Sequence, residues 1–134
     1  MNVHVQDLWQ RAKAALATAR RDLPHDPDAA ASRAYYAAFY AVSAYLASEG
    51  KVYRKHAAVG AAVHRELVGT GLWPKELGRA FSSLFEWRML GDYAVGRHVP
   101  PDRAARAVDD AVAILHAVAG MCPDRFGGLE DEAV

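Results

Sequence analysis

An arginine, Arg88, stands where the sequence pattern asks for a core side chain. Counted at 100° per residue, Leu77, Phe81, Leu84, Phe85 and Arg88 fall on one stripe of a helix, while Arg79, Ser82, Ser83 and Glu86 point the other way. Burying an unpaired guanidinium is strongly unfavourable, so something must compensate it. Asp92 lies four residues on, within reach along a helix that continues past Gly91 and able to fold back if the helix stops there. Tyr36 and Tyr40, from another helix, are further candidate partners. Two uses fit such an arginine. It could be a strut, tied to Asp92 and to carbonyls, that fixes helix register. It could instead line a cleft or a dimer interface and meet an anion such as an RNA phosphate, for which the guanidinium fork is suited. The residues alone leave both open.

His56 falls on the inward stripe of its helix, near the N-terminus. The positive helix end disfavours a protonated ring there, so a neutral, hydrogen-bonded histidine is expected. His4, His25, His64, His98 and His116 show no metal-ligand spacing, and the single cysteine, Cys122, can make no disulfide within the chain. Neither metal nor cofactor is expected. Tyr35, Tyr36, Phe39, Tyr40 and Tyr45 are aromatic enough for base stacking, but core or interface packing is the simpler reading. Tyr45 lies opposite Tyr36 on the helical wheel, so the two cannot face one groove. Trp73 and Trp87 are read as rim or dimer-contact residues. No glycine-rich phosphate loop and no Ser-His-Asp order is present.

The elements that must position these groups are helical throughout. Val5, Leu8, Ala12, Ala15, Leu16, Ala19 and Leu23 form one stripe of a first helix over about 3–22. Asp26 is a good N-cap and Pro27 suits the first position of a second helix, over about 28–48. That helix is apolar nearly all round, with Tyr35, Phe39, Val42 and Leu46 on one side and alanines behind, which predicts a central position. A third helix is predicted over about 55–68, a fourth from Pro74 to about Leu90, and a fifth from Pro100-Pro101-Asp102 to about Ala119. The expectation is an all-α, up-and-down bundle of four to five helices, one domain over 1–122 followed by an acidic flexible tail over 123–134.

A hydrophobic share of 52% with 24% charged residues provides a real core and argues against disorder. Sixteen basic and sixteen acidic side chains cancel, which excludes a uniformly basic nucleic-acid binder. The charge is uneven. Residues 51–80 carry Lys51, Arg54, Lys55, Arg65, Lys75 and Arg79 against Glu66 and Glu76, while 109–134 is mostly acidic. A solvated surface is the simpler reading of both blocks. The longest uncharged run, Ala34 to Ser48, is too short to span a bilayer, and the first residues lack the basic and apolar regions of a secretory signal, so a cytoplasmic, non-membrane protein is expected.

Three strings occur in order: Ser32-Arg33-Ala34-Tyr35-Tyr36-Ala37-Ala38-Phe39, Lys55-His56, and Trp87-Arg88-Met89-Leu90-Gly91-Asp92-Tyr93. Together they resemble the HEPN domains (higher eukaryotes and prokaryotes nucleotide-binding), most of all the small stand-alone prokaryotic type, over about residues 5–120. The resemblance implies a helical bundle that forms a homodimer. It implies a role with RNA or nucleotides and a partner protein such as a nucleotidyltransferase, in a toxin–antitoxin type module. Active members are metal-independent ribonucleases whose motif is an arginine followed, after four to six residues, by a histidine. This chain supplies Arg88, but positions 93, 94 and 95 are Tyr93, Ala94 and Val95, and His98 is too far on. A phenol, with an ordinary pKa of about 10, is a poor base near neutrality. The departure argues against the family's standard nuclease route and favours an accessory role, with Arg88 and Asp92 as the polar heart of the site and Tyr93, His56 and Tyr36 shaping it. The alternatives are a ribonuclease with an altered site, using Arg88 with His56, Tyr93 or His98, and a purely structural dimerisation module.

Overall fold

The computed structural model describes residues 3–129. Five α-helices follow in order: α1 (Val3–Asp22), α2 (Pro27–Ser48), α3 (His56–Ala62), α4 (Lys75–Tyr93) and α5 (Pro101–Met121). The third runs directly into a π-helical segment, Val63–Val68. No strand occurs among the described residues, and the short connections stack the helices as an up-and-down bundle.

The central position expected of the second helix is found. α2 packs against α1, α3, α4 and α5, and its alanines at 30, 31, 34, 37, 38, 41 and 44 are buried. Small side chains let the neighbouring axes approach closely, so one helix can serve several partners. Its start is the one the sequence predicts: the Asp26 carboxylate accepts from the Ala29 N–H at 3.1 Å, and Pro27 takes the first turn.

Four features differ from expectation. The third helix is not uniformly α, since the Gly69 N–H donates to the His64 carbonyl, five residues back, at 2.8 Å. The widened turn keeps Val59, Val63 and Leu67 all in the core. α4 does not end near Leu90 but continues to Tyr93. Gly91 permits this, because a Cβ there would sit 3.0 Å from the Asp28 carbonyl oxygen and 3.3 Å from its Cα. Trp73 is not a rim residue but lies buried at 3% exposure, while Trp87 is half-buried with the Arg103 guanidinium 5.9 Å from its ring centre.

The tail expected to be flexible from 123 packs on the bundle over 123–129. Phe126 is fully buried, with its ring 5.1 Å from that of Trp9. The Trp9 indole donates to the Gly127 carbonyl at 2.8 Å, and the Gln6 amide donates to the Arg125 carbonyl at 2.9 Å. Residues up to 129 therefore lie on α1, and the remainder of the expected tail, 130–134, falls outside the described residues.

Candidate functional site

Arg88 does sit among core residues. It lies on the buried face of α4 with Gly78, Phe81 and Leu84, and only 9% of its surface is exposed. Continuation of α4 through Gly91 puts Asp92 one turn further along, and the Arg88 Nε–H donates to Asp92 Oδ2 at 3.2 Å. The same carboxylate oxygen accepts from the Ser32 hydroxyl of α2 at 3.1 Å. Arg88 Nη2 donates to the Tyr36 hydroxyl at 2.8 Å and to the Tyr93 hydroxyl at 3.2 Å. The guanidinium carbon also lies 5.3 Å and 5.2 Å from the ring centres of Tyr36 and Tyr93, distances at which ring faces stabilise a cation. Nη1 differs from the other two nitrogens. Its acceptor is the Met89 thioether, 3.6 Å away, a weak partner on a side chain that is 40% exposed.

The arrangement fixes an arginine in one orientation from three sides and leaves one corner of its fork underused. A prearranged cation of this kind loses little entropy on meeting an oxyanion, and the partly exposed Tyr93 and Met89 mark the open side.

His56, expected on an inward stripe, is half-buried at the first turn of α3. Its Nδ1 is 2.7 Å from the Tyr35 hydroxyl, and its ring lies 4.5 Å from Phe39 and 5.7 Å from Tyr36. Burial, reinforced by the positive charge of Arg88, pushes its pKa below the ordinary histidine value. Both effects disfavour the protonated form of the imidazole beside this site. Tyr35 is fully buried, and its phenol is pushed well above the ordinary range, chiefly by desolvation.

The structure thus brings together Arg88, Asp92, Tyr93 and Tyr36, with His56 one aromatic layer away. Two other candidates lie elsewhere. His98 is held in the loop after α4, its Nδ1 2.6 Å from Asp28 Oδ2, while the other oxygen of that carboxylate accepts the Val99 N–H at 2.7 Å. Tyr40 does not reach Arg88 but borders Arg11 and Arg33. Sequence reasoning misses Ser32 as a site residue, although its spacing of four from Tyr36 puts both on one face of α2.

The basic stretch 51–80 is not one free basic surface. Lys51, Arg65 and the Tyr53 hydroxyl all converge on Glu66, whose carboxyl these bonds hold well below its usual pKa, the Lys51 contact contributing most. A cleft of about 360 Å³ opens between α3 and α4, lined by Tyr35, Phe81 and Phe85 together with His56 and His64. No group of three or more His, Cys, Asp or Glu side chains among the described residues is arranged to hold a metal ion, and no described helix is long and apolar enough to cross a membrane.

Residues 5–121 match the HEPN domain family model. A UPF0332 protein of Thermotoga maritima is 50% identical over 64 residues, which is 48% of this chain and 48% of that protein. The chain thus matches about half the length of this curated relative. Among solved structures, that of TT1696 from Thermus thermophilus superposes with a TM-score of 0.75 at 23% identity, covering 90% of this chain and 98% of the other, a likeness of fold.

Proposed function

The chain belongs to the HEPN domain family, and from that premise we propose that it is an RNA- or nucleotide-associated accessory protein of the cytoplasm. In this reading it acts as a homodimer with a partner such as a nucleotidyltransferase, in a toxin–antitoxin type module. The observation that carries the RNA part is Arg88, buried, oriented by Asp92, Tyr36 and Tyr93, and left with only a thioether on Nη1. A strut would be expected to use its whole fork internally, whereas a phosphate-binding arginine keeps a corner free. Partner and module are those that membership of the family implies.

The homodimer is supported by the outer face of α4. Phe85, Met89 and Tyr93 repeat every four residues and are 37%, 40% and 61% exposed, forming an apolar stripe beside Arg88. A second copy seated there would bring two Arg88 sites to one seam.

One observation favours a second reading, a ribonuclease with an altered site. His56 lies one ring from Arg88, so an imidazole is near the cation although the family spacing is absent. Incubating labelled single-stranded RNA with the protein and with Arg88→Gln decides between them. The accessory reading expects binding that Arg88→Gln weakens at least about tenfold, with no cleavage. Cleavage lost in both Arg88→Gln and His56→Ala would establish the altered nuclease. Wild-type binding equal to that of a correctly folded Arg88→Gln would leave a structural module.

A further inference from the structure

Arg88 stands at one end of a longer arrangement. α2 is packed on most sides, yet one stripe, Arg33, Tyr36, Tyr40, Ser43 and Ala47, remains partly open at spacings of three and four. Tyr36 is shared by two arginines: Arg88 donates to its hydroxyl, and the Arg33 guanidinium lies 4.8 Å from its ring centre. The Tyr40 ring follows, 5.9 Å from that of Tyr36. Tyr40, Arg33 and Arg11 of α1 border a cleft of about 240 Å³. Further along the same stripe, Ser43 and Phe39 line a second cleft, of about 310 Å³, with Tyr53 and Arg54. The Ser43 hydroxyl is buried with no hydrogen-bond partner, a polar atom left over in that cleft.

Along α2 the stripe therefore runs Arg33, Tyr36, Tyr40 and Ser43, with Arg88 joining at Tyr36 from α4, Arg11 beside Tyr40 from α1, and Arg54 beyond at the Ser43 cleft. The neighbouring carboxylates are few. Asp92 is matched to Arg88, and Asp7 to Arg11 by an exposed contact of 2.9 Å that solvent and salt can open. Glu66, behind Tyr53, is already neutralised by Lys51 and Arg65. Among the described residues Arg33 and Arg54 have no carboxylate within ion-pair distance. From Arg33 to Ala47 the stripe runs about 21 Å, the length of several nucleotides. A net charge of zero does not reveal this track.

We propose that this stripe is a track for single-stranded RNA that leads away from Arg88 across α2 and α1, with phosphates on Arg33, Arg11 and Arg54 and a base against Tyr40. The proposal rests on the RNA reading of the Arg88 site and extends it from a single phosphate contact to a polymer. Arginines set beside an open ring suit a chain that carries both phosphates and bases, whereas an acidic peptide would use the cations and leave the ring idle. Arg11 and Arg54 are surface residues of α1 and of the segment before α3, so replacing them leaves the bundle intact.

The test is fluorescence anisotropy with a labelled twelve-nucleotide oligouridylate, on wild type, Arg88→Gln, Arg33→Gln and the double variant Arg11→Gln/Arg54→Gln, across a salt series. The track predicts that the distal double variant binds roughly tenfold more weakly and that its salt slope falls by about 1.4, near 0.7 for each lost phosphate contact on a single strand. Polyglutamate of equal charge should compete poorly. If the double variant and Arg33→Gln bind like wild type while Arg88→Gln does not, the track is wrong and the Arg88 reading survives. Equal competition by polyglutamate would replace RNA with an acidic protein as the occupant. Failure of the wild type to bind the oligonucleotide would overturn both the track and the reading beneath it.

Discussion

Replacing Arg88 by methionine keeps much of the apolar stem and removes the charge, and its cost can be worked from the geometry. The Arg88 side chain is 11% exposed and its partner Asp92 is 30% exposed. Breaking a fully buried pair costs about 3–5 kcal/mol, but a carboxylate with nearly a third of its surface open recovers part of its hydration, so about 2–3 kcal/mol is expected for Arg88→Met. Ser32 still donates to the stranded Asp92, which also limits the loss. Asp92→Asn should cost about 3 kcal/mol, because it leaves the more deeply buried cation with two phenols and no countercharge. The double variant removes both charges together, and a coupling of about 1–2 kcal/mol should appear as a loss smaller than the sum of the two. Urea unfolding followed by far-ultraviolet circular dichroism, with a common m-value, measures all four corners of the cycle. Strictly additive losses, or a loss below about 0.5 kcal/mol for Arg88→Met, would show that the guanidinium is not held as described.

Three further outcomes follow from other parts of the molecule. Phe126→Ala should destabilise by about 3 kcal/mol and loosen residues 123–129, because the ring is fully buried on Trp9; unchanged stability and unchanged tryptophan fluorescence would contradict that packing. His56 has a folded-state pKa below its ordinary 6.5, so the unfolded chain takes up its proton first as pH falls. The stability this histidine permits should be complete above about pH 7 and decline through 6.5 toward its lower folded value, and the decline should be shallower in His56→Gln, as urea midpoints across that range would show. Gly91→Ala should lose about 1 kcal/mol despite the better helix propensity of alanine, because the new methyl meets the Asp28 backbone; a stabilised variant in thermal melts would mean that α2 and α4 are not so close.

How much of this was readable beforehand depends on whether a feature is set within one element or between two. The helices were legible because hydrophobic period, the Asp26-Pro27 start and the prolines act locally. Arg88 was legible because it broke a period, and Asp92 because four residues is one helical turn. Whether Asp92 stayed on that helix was not, since it depends on Gly91 meeting the backbone of α2. Ser32 became part of the site only when α2 was laid beside α4. The packing of Phe126 on Trp9 joins residues more than a hundred positions apart, and the acidic, glycine-containing composition around it pointed toward a loose tail. The π-helical turn at Val63–Val68 carries no composition signal of its own. Whether the basic stretch forms one surface is likewise set between elements, because one carboxylate, Glu66, draws in two of its cations, while the cations of the open stripe come from α1, α2, α4 and the segment before α3 and form no run in the chain.

The central claim is that a buried arginine keeps one corner of its fork for an outside anion. Its most direct test is to follow the Arg88 Nε–H signal by nuclear magnetic resonance, assigned by comparison with Arg88→Lys, while titrating the oligouridylate. A resolved, slowly exchanging signal, held by Asp92, is expected in the free protein and should shift in step with binding. RNA that binds and leaves this signal unmoved would place the contact elsewhere and return Arg88 to the role of a strut.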